Sequence, residues 1–247
     1  MHTSDTTTRP SPHAHACATR GCSEAHLPEE LEESLRALIA RTDFPCVGAK
    51  AALAQSGLRI ETAGDITSPA DDRRIQRALA RWSRVPATDE ADFRSLTVIF
   101  HGPRDLDEKG FERALWDRLS GISEADAERG FATDPGFSSN PGDPDFALSF
   151  GGRAYFAVGL HPKASRRARR LPFPAIVFNL HNQFAKLRAE DRYERMREVI
   201  LARDEAFDGE PNPMLARHGE VSEARQYSGR EVEEDWSCPF FRPGKSA

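Results

Sequence analysis

The sequence predicts one α+β domain: a largely antiparallel sheet built round a central hairpin at about residues 146–160 and flanked by helices. Three observations carry this expectation. The stretch FALSF-GG-RAYFAVGL sets two strand-like runs either side of Gly151-Gly152, and paired glycines accept the positive φ angles of a tight hairpin turn. Other segments repeat their apolar residues at three- and four-residue intervals, the period of a helix packed on one side. No internal repeat and no linker composition interrupts residues 28–241, so these elements belong together.

Residues 1–27 hold Thr, Ser, Pro and His with almost no large apolar side chains. Such a segment buries too little surface to offset its ordering entropy, so a disordered tail is expected. Its His13, His15, Cys17, Cys22 and His26 fit no zinc spacing. Order begins at Pro28, where Leu31, Leu35, Leu38 and Ile39 share one helical stripe behind a first turn of acids. FPCVGAKAALAQSG reads as a short helix closed by Gly57. SPADDRRIQRALARW opens with Ser68 as N-cap, Pro69 at the first helical position and Asp71 as capping-box partner, then carries Ile75, Leu79 and Trp82 in register.

RSLTVIFHG is a strand by its β-branched content, and EKGFERALWDRLSG is a helix with Phe111, Leu115 and Leu119 aligned. After the hairpin, PAIVFNL is a further strand. QFAKLRAEDRYERMREVILARDEAF is the longest helical pattern, with Phe184, Leu187, Met196, Val199, Ile200 and Phe207 as its apolar set. Residues from Gly209 to Phe241 are punctuated by Pro and Gly yet keep Tyr227, Trp236, Phe240 and Phe241, so they are expected to wrap back onto the domain. Residues 242–247 form a C-terminal tail.

Composition narrows the function. A net charge of −5 gives no global attraction to nucleic acid or to an anionic membrane. No apolar run approaches the roughly 20 residues of a spanning helix, and the head of the chain lacks the apolar middle of a secretory signal. A cytoplasmic location is the resulting expectation. Four cysteines in a chain this long are not a disulfide framework, and Cys46 and Cys238 read as buried small hydrophobes in a reducing setting. There is no P-loop, no dinucleotide fingerprint, no G-x-S-x-G elbow and no H-E-x-x-H pair.

What remains unusual is FAVGLHPKASRRARRLPFPAIVFNLHNQF. His161 ends one apolar run, and Arg166, Arg167, Arg169 and Arg170 follow within nine residues. His181 ends the next run, with Asn179 two residues earlier on the same side of an extended strand and Gln183 two residues later. An imidazole at a rigid strand end beside a cluster of guanidinium groups suits a haem, which needs an axial donor, cations for its propionates and an apolar slot. The competing reading is a solvated basic loop whose histidines cap backbone. His101 ends a third strand, and His218 sits in the irregular tail. In that tail Glu220, Glu223, Arg225, Tyr227 and Ser228 gather hydrogen-bonding groups, and the carboxylates could clamp a cationic substrate.

Five blocks, FPCVGAKAAL, GLHPKASRRARR, PAIVFNLHNQFAKLR, NPMLARHGEVSEARQYSGR and WSCPFF, together resemble the YqcI/YcgG family across about residues 36–241. That family includes haem-dependent N-hydroxylases of guanidino compounds, in guanitoxin biosynthesis and in the D-cycloserine pathway. The resemblance implies b-type haem, dioxygen as co-substrate, an electron donor, and insertion of one oxygen atom into an N–H bond of an arginine-like guanidino or amino substrate. It brings forward His161, Arg166, Arg167, Arg169, Arg170, Asn179, His181, Glu223, Arg225, Tyr227 and Ser228. His161 is expected as the iron ligand, with His181 second and Cys46 third. His181 is then the distal proton donor, and Glu223 or Glu220 holds the substrate cation. Ala164 stands where the family pattern has a serine, and Leu180 where it has a proline. A haem sensor or carrier without turnover and a cofactor-free protein are the alternatives. Neither nucleic acid nor membrane is an expected partner, and a homodimer stays open.

Overall fold

The computed structural model describes residues 27–85, 93–215 and 219–242; the readings for the head of the chain and for His218 lie outside them. Five strands form one sheet: β1 (Leu58–Asp65), β2 (Ser95–Gly102), β3 (Leu148–Phe150), β4 (Arg153–Leu160) and β5 (Ala175–Leu180). Their spatial order is β1-β2-β5-β4-β3. β1 runs parallel to β2, and the other three neighbouring pairs are antiparallel. The α+β class and the mostly antiparallel sheet are therefore as the sequence predicts. The hairpin turns at Gly151 and Gly152, with φ of 61° and 76°. A Cβ at Gly151 would also stand 2.8 Å from the Ala80 backbone, so both conformation and space require glycine there.

Seven helices accompany the sheet among the described residues: α1 (Leu27–Ala40), α2 (Val47–Ala54), α3 (Asp72–Trp82), α4 (Glu108–Glu128), α5 (His181–Ala189), α6 (Tyr193–Asp208) and the single turn α7 (Ala224–Tyr227). None is long and apolar enough to cross a membrane.

Three features differ from the sequence-based expectation. β1 is an additional strand, obscured because it lies at the sheet edge, where Arg59 and Glu61 pair with each other at 2.7 Å. Ser68 does cap its turn by accepting from Ala70, but Asp71 closes no box. Its carboxylate takes the Gly64 N–H at 2.8 Å and Arg74 at 3.0 Å, binding the turn to β1. The long helical pattern is two helices, broken where Asp191 adopts a left-handed φ of 55°. The break resets the helical phase, and Val199 faces outward at 44% exposure.

The sheet has two unlike faces. On one, Leu96, Val98, Phe100, Ala157, Ile176 and Phe178 are buried against α3 and α4 through Ile75, Leu79, Phe111, Leu115 and Leu119. The C-terminal segment wraps round this core: Trp116 meets Trp236 at 6.3 Å and Phe240 at 6.2 Å between ring centroids. On the other face lie the alternate residues of the same strands, covered by α1, α2 and α6. Gly159 belongs to the first face, where a Cβ would stand 2.7 Å from both Leu115 Cδ1 and Phe111 Cε1. Gly159→Ala should lower unfolding stability by about 1–3 kcal/mol through overpacking against these buried side chains, measured by urea denaturation.

Candidate functional site

The second face of the sheet does not close on its helices. Between them lies a cavity of about 320 Å³, whose floor is Leu58 of β1, Ser95 and Thr97 of β2, Val177 and Asn179 of β5, and Phe156, Val158 and Leu160 of β4. Period-two alternation gathers these residues on one side. The walls carry Leu35, Leu38 and Ile39 from α1 and Met196, Ile200 and Leu201 from α6. α2 contributes only Gly48, Ala49 and Ala52, and so small a surface leaves the space unfilled.

Polar groups enter this apolar room at chosen places. His181 is the first residue of α5, where the chain turns from strand into helix. Its ring lies 4.5 Å from Phe137 and 5.9 Å from Phe184, centroid to centroid, and its Nε2 meets Glu223 Oε1 at 2.9 Å. The Tyr227 hydroxyl donates to the same carboxylate oxygen. Burial first, and then the neighbouring Glu223 charge, push the Tyr227 phenol well above its ordinary value, so it stays a neutral donor. His181, Glu223 and Tyr227, named from separate stretches of sequence, thus form one buried cluster, and the first two line the cavity. Asn179 lies beside them, its Oδ1 accepting the Ser95 hydroxyl at 2.6 Å. Gln183 also lines the cavity while bracketing the backbone of Arg94 with its side-chain amide.

The arginine cluster is spread differently. Arg166 pairs with Asp204 and, at 3.3 Å, with Asp208. Arg167 bonds the Phe207 carbonyl at 2.6 Å and stacks on the Phe207 ring, while Arg170 bonds the Ala164 and Ser165 carbonyls of its own loop. These three fasten the loop, in part to the end of α6. Arg169 alone of the four lines the cavity. It donates to the carbonyls of Gly159, Gln226 and Tyr227, and burial pulls its guanidinium down to about 10.

His161 lies on the opposite face. It follows Ala157 and Gly159 in the alternation and stacks on Phe111 of α4 at 4.3 Å, so it is no part of the cavity lining. His101 is exposed, and Glu220 is also outside the lining. Ser228 donates to Glu112 at 3.3 Å, and Arg225 to the Glu233 carbonyl at 2.6 Å, on the C-terminal wrap. Cys46 does line the cavity, where it caps α2 by accepting from Ala49 N at 3.4 Å and burial pushes its thiol up.

Several polar cavity residues escaped the sequence reading as site residues, among them Arg188, Tyr193, Arg197, Ser95 and Thr97. Arg188 lies over the Tyr193 ring at 5.5 Å, and Arg197 donates to the Leu215 carbonyl at 3.0 Å. A signal existed, since Tyr193, Met196, Arg197, Ile200 and Asp204 recur at three- and four-residue spacing along one stripe. Among the described residues no three His, Cys, Asp or Glu side chains converge into a metal-ion site.

The surroundings of His161 generate a pH prediction. Burial pulls its imidazole down from 6.5 to about 4. Between those values the unfolded chain binds a proton that the folded chain refuses, so this contribution to stability is whole above about 6.5 and lost as pH falls toward 4. Urea unfolding at pH 7.5 and pH 4.5 should show the native protein losing about 2–3 kcal/mol more than His161→Phe.

A family model described as the YqcI/YcgG family matches residues 35–241. No curated protein and no solved structure matches the chain. The matched stretch contains every residue that lines the cavity and far more than half of the sequence, and the chain belongs to the YqcI/YcgG family.

Proposed function

We propose that the cavity binds haem and that the protein is a haem-dependent monooxygenase, adding one oxygen atom from dioxygen to a guanidino or amino nitrogen of a small molecule. One observation carries the reading. A single apolar cavity holds an imidazole backed by a buried carboxylate together with three guanidinium groups. A haem asks for apolar enclosure, cations for two propionates, and an axial donor, because the porphyrin itself supplies four nitrogens. The lining fits each demand.

His181 is the iron donor in this reading. A carboxylate on one ring nitrogen orients an imidazole and raises its basicity toward a metal. Glu223 supplies that carboxylate, and Tyr227 holds Glu223 in turn. His161 is set aside because Phe111 and α4 enclose it across the sheet. Cys46 is second: its place at a helix N-terminus suits a thiolate, but burial favours the neutral thiol. Arg188, Arg197 and Arg169 are the cations for the propionates, a role the sequence reading gave to the whole cluster from Arg166 to Arg170.

When bound, haem would supply the reduction of dioxygen and the transfer of one oxygen atom, with electrons from a separate donor. The protein's own residues do the rest. Leu38, Ile39, Phe156, Val158 and Ile200 keep water from the reacting centre, which strengthens every charge interaction inside. The substrate class rests on the family resemblance.

Hemin titration of the purified protein should give a saturable Soret band. His181→Ala should abolish or strongly shift that band, and His161→Ala should leave it in place. With reductant, dioxygen and L-arginine, mass spectrometry should find a product heavier by one oxygen atom. A flat titration overturns the haem reading, and a band unmoved in His181→Ala transfers the donor role to Cys46.

A further inference from the structure

Thr97 lies in the middle of the cavity floor, fully buried, and its hydroxyl oxygen has no hydrogen-bond partner among the described residues. A buried hydroxyl left unmatched is destabilising, and such groups are uncommon enough in folded proteins to need a reason. Its surroundings supply one. In the antiparallel register Ser95 faces Asn179 and Thr97 faces Val177, so Ser95, Thr97 and Asn179 are neighbours on one side of the sheet. The Ser95 hydroxyl already donates to Asn179 Oδ1. Asn179 keeps its N–H₂ group to offer as a donor, and the residue is half-buried at the cavity floor.

We propose that Thr97 and Asn179, with Ser95 fixing the amide, form a hydrogen-bonding subsite for an uncharged acceptor oxygen, of the carbonyl type, on the small molecule that enters the cavity. Both groups can donate from neighbouring positions on the cavity floor, which suits an acceptor on the ligand. The neighbouring floor residues Val177, Val158 and Leu58 are apolar, and the patch itself contains no cation, so a charged oxygen would be buried without compensation. The subsite rests on the reading of the cavity as a ligand site; it does not require iron.

Thr97→Val keeps the side-chain shape and removes the hydroxyl. Two measurements on the protein as purified then decide the matter. The ligand-free variant should melt about 2–4 °C higher than the native protein, because an unmatched buried hydroxyl is gone. Isothermal titration calorimetry with acetophenone and α-methylstyrene, which differ only in C=O against C=CH₂, reads the subsite directly. The preference for acetophenone should fall about tenfold in Thr97→Val and persist in Thr97→Ser. A lower melting temperature in Thr97→Val, or an unchanged preference, overturns the subsite. If neither probe binds, the cavity reading falls with it. If the preference shifts while hemin titration stays flat, the subsite stands and the haem reading alone is lost.

Discussion

The two-residue period of β2, β5 and β4 is the constraint on which the rest of the structure depends. Each strand sends alternate side chains to opposite faces, and the two sets differ in kind. The residues Leu96, Val98, Ala157, Ile176 and Phe178 meet α3 and α4 with no space between. Their neighbours Ser95, Thr97, Val158, Val177 and Asn179 meet the cavity instead. One face thus supplies close-packed burial, the main favourable term in folding. That support lets the other face stay hollow. α2 keeps it so, because the helix contributes only small side chains to the roof.

A cavity of this kind loses dispersion contacts along its lining, so its walls must be held by other means. The structure uses buried charge. Glu223 is shared by His181 and Tyr227 and joins the C-terminal segment to the strand-to-helix turn after β5. Arg169 spans from the Gly159 carbonyl to those of Gln226 and Tyr227, and Arg166 fastens the preceding loop to Asp204 and Asp208 on α6. Each contact ties an irregular segment to a regular one. Charges removed from water are tolerable only when their hydrogen bonds are largely satisfied, which fixes these segments in place more than it adds net stability.

Much of this was legible in the sequence. The stripes of α1, α3 and α4 follow from local periodicity, the hairpin from its paired glycines Gly151 and Gly152, and the return of Trp236 and Phe240 from the large apolar side chains that an irregular segment keeps. His181, Glu223, Asn179 and Cys46 were singled out and are found in one cavity. The placement of His161 was legible in principle. Phe156, Val158 and Leu160 share one parity, and Ala157, Gly159 and His161 share the other, so counting along the strand separates His161 from the cavity. The distant partners of Arg166, Arg167 and Arg169 were not legible, since they come from α6 and α7, far away in the chain. The stripe of Tyr193, Met196, Arg197, Ile200 and Asp204 is legible only once the break at Asp191 is known, because that break sets the phase of α6.

The arginine cluster carries a more general lesson about charge. Four guanidinium groups in five residues look like a binding surface when drawn on a line. In three dimensions Arg166, Arg167 and Arg170 spend their donors on carboxylates and carbonyls of the protein itself. None of these three borders the cavity, whereas Arg169, Arg188 and Arg197 line it. The distinction lies in which guanidinium groups border the cavity, and it moves attention from most of the loop after β4 to the inner stripe of α5 and α6. There Arg188 and Arg197 stand beside Tyr193 on the cavity wall, where two cations can meet an anionic group on a bound molecule.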